Sequence, residues 1–209
     1  MRTSLLTWLL LITFTYCFGQ SKQEVLDRYL LNIPLKDSIE ESVVFLENSP
    51  QFGIDSVLAG GQVYSSYKTQ LPFEEFHIDK IVIMLQKQYS MADTIRKTIF
   101  DTLHKVSVQY IFPESDEKGM DAFYKQARKS FRRVYAYDYE RDLKEGDVEG
   151  RSCHFTNSQA PPFPELILYK GHVKGQMRYV TIRYDKRKSR GYFWKSIRPG
   201  RPKPYGTNE

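Results

Sequence analysis

Of the two cysteines in this chain, Cys17 lies inside an apolar N-terminal run and only Cys153 lies beyond it. Once that run is removed, no intramolecular disulfide can hold the fold, so the chain must fold on buried apolar surface alone. The run has the layout of an export signal. Arg2 carries one positive charge, Leu5 to Phe14 is apolar apart from Thr7 and Thr13, and Cys17-Phe18-Gly19 leads to an expected cut before Gln20. The apolar stretch is about ten residues, whereas a membrane-spanning helix needs about 20, which disfavours an uncleaved anchor. Tyr16 is bulky where lipid modification of Cys17 would prefer a small residue. Residues 1–19 are therefore read as a signal peptide, and the mature chain as secreted or periplasmic. No second apolar run of spanning length follows, so no transmembrane segment is expected in the mature chain.

Without the leader about 190 residues remain, enough to bury close to 70% of the unfolded surface without disulfides. Removing Arg2 leaves 30 basic and 25 acidic residues, a net charge of +5. No complete Asn-x-Ser/Thr sequon is present. A disulfide-free, sequon-free exported chain fits a bacterial envelope better than a eukaryotic extracellular space.

Hydrophobic spacing sets the expected elements. Val25, Leu26, Tyr29 and Leu30 predict a helix over Gln23 to Leu31, ended by Pro34. Ser38 and Glu41 form a capping-box pattern ahead of a second helix with Ile39, Val43 and Leu46 on one stripe. Ile54 to Gln70 reads as two short strands around Gly60-Gly61, and Ile81 to Leu85 as the continuous apolar core of a strand buried on both faces. Ser90 and Asp93, with Ile95, Ile99, Leu103 and Val106, predict a helix from Met91 to Lys105, followed by a strand from Val106 to Phe112. Met120, Phe123, Tyr124, Ala127, Phe131 and Val134 predict a third helix, with acids at its start and bases at its end as the helix dipole favours.

Asp138 to Glu149 holds six acids and two bases and is read as a solvated loop, with a strand from Arg151 to Thr156 after it. Glu165 to Lys170 and Met177 to Tyr184 form an expected hairpin, turning near Gly171 and Gly175. Residues 20–185 are thus read as a single domain, an α+β fold with a mainly antiparallel sheet and three to four helices packed on it. Residues 186–209 are read as a basic, Pro/Gly-containing mobile tail.

Ile33-Pro34-Leu35 leading into a capped helix and then short strands resembles the helix-strand-strand modules of small bacterial envelope proteins over residues 30–85. The resemblance rests on element order, and it implies an antiparallel sheet with helices on one face. It assigns no functional residue.

Two sets of residues invite a functional reading. From Tyr169 to Glu209 there are 12 bases and two acids. Within that stretch Arg187, Lys188, Arg190, Lys195 and Arg198 surround Tyr192 and Trp194, so cations alternate with aromatic rings, a composition suited to a polyanion or an anionic surface. Export argues against nucleic acid as the target. An acidic protein partner, an anionic lipid surface or a cell-wall polymer fits better, and a merely solvated tail fits the same composition. Cys153 beside His154 suggests a thiol nucleophile with a base, but neighbours on a strand point to opposite faces. The histidines at 77, 104, 154 and 172 make no metal-ligating pair, and no phosphate loop or dinucleotide fingerprint is present, so no cofactor is expected. The reading is an exported, non-enzymatic binding module at the cell envelope. The alternatives are a hydrolase or transferase using Cys153 or a histidine, and a structural envelope component with no discrete site.

Overall fold

The computed structural model describes residues 21–35, 39–58, 61–66, 73–88, 103–145, 148–156, 165–173 and 175–187. The expected signal peptide, the greater part of the expected helix at 91–105 and the tail from 188 onward lie outside these residues. Helix α1 spans Lys22–Tyr29 and is held at its start by a reciprocal cap. The Ser21 hydroxyl accepts from the Glu24 N–H at 3.1 Å, and the Ser21 N–H donates to the Glu24 carboxylate at 2.8 Å. The helix stops short of the expected Leu31, and Pro34 is not what stops it. Leu31 and Asn32 adopt φ of 59° and 58°, the left-handed region, which costs an ordinary residue about 1–2 kcal/mol. Burial of Leu30, Leu31 and Ile33 against the core offsets that strain.

Helix α2 spans Ile39–Glu47 and buries Ile39, Ser42 and Leu46; the expected cap residue Ser38 lies outside the described residues. Strands β1 (Gly53–Leu58) and β2 (Gly61–Ser66) follow as a hairpin, then β3 (Lys80–Gln88) and β4 (Leu103–Phe112). Residues 103–105, assigned by periodicity to the end of a helix, belong to β4. The ladder between β3 and β4 continues to the pair Gln88↔Leu103, and this pairing overrides the local helical spacing. Nor is β3 buried on both sides. Ile81, Ile83 and Leu85 are fully buried, whereas Val82 and Met84 on the other face are half-buried.

Helix α3 spans Glu117–Val134 as its stripe predicts, with Asp116 as N-cap accepting from the Gly119 N–H at 2.8 Å. Strands β5 (Tyr137–Glu145), β6 (Val148–Thr156), β7 (Leu166–Val173) and β8 (Met177–Arg187) complete the fold. The expected loop from Asp138 to Glu149 is therefore two strands. The acids are accommodated because α3 and β6 carry matching cations. Arg128 pairs with Asp138 at 3.1 Å and with Glu140 at 2.5 Å, Arg132 with Asp138 at 3.1 Å, and Arg151 with Asp142 at 2.8 Å. Such charge also suits an edge strand, where apolar side chains would invite another chain. In the last hairpin Gly171 lies within β7, and the turn carries Gly175 at φ 72°.

The eight strands among the described residues form one antiparallel sheet in the order β1-β2-β3-β4-β8-β7-β6-β5. It consists of two four-stranded meanders joined where β4 pairs with β8, from Leu103↔Arg187 to Phe112↔Arg178. With three helices among the described residues, the mixed α+β class is as expected. The helices pack on one face. Their buried residues join Ile83, Val108, Tyr110, Ile182, Leu168 and Phe155 in a single apolar core. Phe123 of α3 is the hub, with ring centroids 5.0 Å from Phe73, 4.8 Å from Tyr110, 5.6 Å from Phe112 and 6.0 Å from Tyr29. Tyr110 also donates its buried hydroxyl to the Tyr29 carbonyl at 2.7 Å, satisfying a C-terminal acceptor of α1. Substitution Phe123→Ala removes a fully buried ring from this cluster and is expected to cost about 3–5 kcal/mol, read as a fall in the urea midpoint.

Candidate interaction surface

The period of two along each strand, combined with the register, sorts every side chain onto the helix-covered face or the opposite one. No helix among the described residues packs on that opposite face. Between β5 and β8 it is unusually rich in rings. Tyr139 and His154 are directly paired across β5 and β6 and stack with centroids 4.6 Å apart and planes 8° from parallel. One step along, Arg141 pairs across to Ser152, which pairs to Tyr169 and then to Thr181. One step further Gly150 pairs with Gly171, and Gly171 with Tyr179.

The two glycines explain how the tyrosines lie. A Cβ on Gly171 would fall 2.6 Å from Tyr179 Cζ and 2.7 Å from the Tyr169 hydroxyl, and one on Gly150 2.5 Å from that same hydroxyl. Both rings therefore lean across the sheet over bare backbone, with centroids 5.5 Å apart and hydroxyls 3.5 Å apart. Tyr139 is 40% exposed. The exposed Arg141 guanidinium makes no ion pair among the described residues. Arg183, in the same row as His154, is tied to Asp185 at 3.1 Å.

Cys153 and His154 point to opposite faces, as strand geometry requires. Cys153 is fully buried under α3, with Sγ 3.6 Å from an Asp138 carboxylate oxygen. Burial first, with the Asp138 charge adding and Arg128 opposing, pushes its thiol up to about 12. Such a group is a protonated core side chain at neutral pH, not a thiolate. His154 instead lies beside Ser152, whose Oγ is 2.9 Å from Nε2. The Ser152 hydroxyl is itself buried and reaches the Arg141 carbonyl at 3.3 Å, so it is held as a structural group. Burial, then the charges of Arg183 and Arg141, lowers the His154 pKa.

Of the basic-tail residues, Lys188, Arg190, Tyr192, Trp194, Lys195 and Arg198 lie outside the described residues. The backbone of Arg187 ends β8, so the sheet reaches two residues past the expected domain limit at Asp185. The face opposite the described helices is not marked as a surface by the sequence motifs. Its members come from four strands, and the usable local signals were the alternation through Tyr137–Leu143 and the glycines at 150 and 171. Compared with protein families, curated proteins and solved structures, the chain matches none.

Two outcomes follow from these placements. Alkylation of Cys153 at about pH 8, followed by mass spectrometry, is expected to be roughly 100-fold or more slower in the folded than in the urea-unfolded protein. Because the folded pKa of His154 is lowered, the unfolded chain takes up its proton first as pH falls through about 6.5. Stability is thus full above that value and declines below it, until the folded pKa is passed. Thermal melts between about pH 7.5 and about pH 5.5 are expected to show a smaller fall for His154→Gln than for the wild type. Equal falls would remove His154 as a source.

Proposed function

We propose that this chain is an exported, non-enzymatic binding module of the cell envelope, and that the face of its second meander opposite the described helices takes the partner. The observation that carries this reading is the ring-rich face itself: Tyr139, Tyr169 and Tyr179 with the exposed Arg141, on a sheet whose other face is filled by helices. Tyr and Arg dominate binding energy at recognition surfaces, because they combine large contact area with few rotors and several donors. Export rests on the N-terminal leader pattern, and the basic residues after Arg187 supply a second, electrostatic attachment to an acidic partner, an anionic lipid surface or a cell-wall polymer. The buried, protonated Cys153 speaks against the hydrolase or transferase reading through that thiol. No helix among the described residues is long and apolar enough to cross a membrane.

The test is crosslinked capture from the native host's envelope fraction, comparing the mature chain, a Tyr139→Ser/Arg141→Glu double variant and a chain ending at Arg187. Both substituted side chains are exposed, so the fold should be retained, with a melting temperature lowered by no more than loss of the Tyr139–His154 stack accounts for. The double variant is expected to lose capture about tenfold or more, the usual size of a recognition hot spot. Undiminished capture by the double variant would move the binding site off this face.

A further inference from the structure

We infer that the face opposite the described helices binds a saccharide chain, seated on the reclining rings of Tyr169 and Tyr179; this rests on the binding-module reading above and names the ligand class. A sugar ring presents C–H groups on its flat faces and hydroxyls around its rim. An aromatic face is negative at its centre, so it attracts those C–H groups, while polar groups beside it bond the rim. This face has both parts. Gly150 and Gly171 lack the Cβ atoms that would lift the tyrosine rings, so the two half-buried rings lean low over the sheet with their planes 51° apart and form a tilted aromatic floor. Half-buried Thr181 and Gln109 lie in the row of Tyr169 and Arg141, which supplies donors and acceptors beside that floor. The Tyr139–His154 stack stands at one end as a wall.

Other ligand classes fit the face less well. Arg183 is tied to Asp185 and Lys80 to Asp55, so among the described side chains on this face Arg141 and Lys105 are the cations outside an ion pair. Two cations are few for a polyphosphate backbone, whose binding strength grows with the number of phosphates neutralised. A lipid would need an apolar groove, and the large exposed apolar side chains other than Tyr139 — Val44, Ile54 and Val57 — lie on α2 and β1, at the far end of the sheet from this site.

The direct experiment titrates the full mature chain with chitotetraose, maltotetraose and a polygalacturonate oligomer, following amide shifts by NMR. At least one is expected to bind with a dissociation constant of about 1 mM or tighter, shifting amides of β7 and β8. Tyr179→Ala and Tyr169→Ala should each weaken it about tenfold, while Tyr179→Phe, which keeps the ring, should bind as the wild type does. No binding of any probe by the folded protein up to about 10 mM would overturn the inference, as would binding that Tyr179→Ala and Tyr169→Ala leave intact. Glycosidase treatment of the captured envelope material separates this from the broader reading. Capture abolished by digestion supports the saccharide. Capture that survives digestion, yet is lost in the Tyr139→Ser/Arg141→Glu variant, makes the face a protein interface, overturning the saccharide and leaving the binding module in place.

Discussion

The pairing of β4 with β8 is the constraint on which the rest of the architecture depends. Each meander on its own is a four-stranded sheet with one face to bury and an open edge. Joining the two along the β4–β8 seam removes both inner edges and creates a surface wide enough for α3 to lie across. Phe123 of α3 then reaches Tyr110 and Phe112 of β4, and Phe131 of the same helix reaches Phe155 of β6 at 5.6 Å, so one helix packs on both halves. Ion pairs repeat the theme at the rim. Lys22 of α1 bonds Glu165 at 2.6 Å, Lys170 of β7 bonds Asp121 at 2.6 Å, and Arg178 of β8 bonds Glu117 at 3.1 Å. Pairs of this exposure are worth about 0–1 kcal/mol each, so they fix the placement of the helices more than they stabilise the fold.

Much of this was legible in the sequence wherever local periodicity and tertiary demand agree. Helix α3 could be read because its apolar stripe, its first-turn acid and its last-turn bases all point the same way. The β7–β8 hairpin could be read because Val180 and Ile182 alternate with Tyr179, Thr181 and Arg183. The failures occur where a distant partner decides. Leu103 and Val106 fit a helical stripe, yet β3 offers Lys105 and its neighbours a continuous ladder. The Asp138–Glu149 stretch looks too charged for a strand until Arg128, Arg132 and Arg151 are placed beside it. The end of α1 was misread because Leu31 takes a left-handed conformation that only tertiary burial can hold.

The candidate site divides in the same way. That Cys153 and His154 cannot cooperate followed from strand geometry alone, and their two environments on either side of β6 agree with it. The tyrosine floor could not be assembled from spacing, since Tyr169 and Tyr179 meet across β7 and β8 over glycines contributed by β6 and β7. A glycine in a strand is a weak signal by itself. Two of them become informative only once the register shows that they face each other.

The position of β8 also bears on the order in which this fold can be made. It is the last strand in sequence among the described residues, yet it sits at the centre of the sheet. A chain leaving the ribosome can form the first meander early, but β4 waits for its neighbour until some 75 further residues have been synthesised, roughly 4–15 s at ordinary rates. Until then α3 has no complete surface to cover and the aromatic core stays open to water. A protein built this way commits late and all at once. Under the export proposed above, that delay keeps the chain threadable, and the closing of the seam falls after translocation.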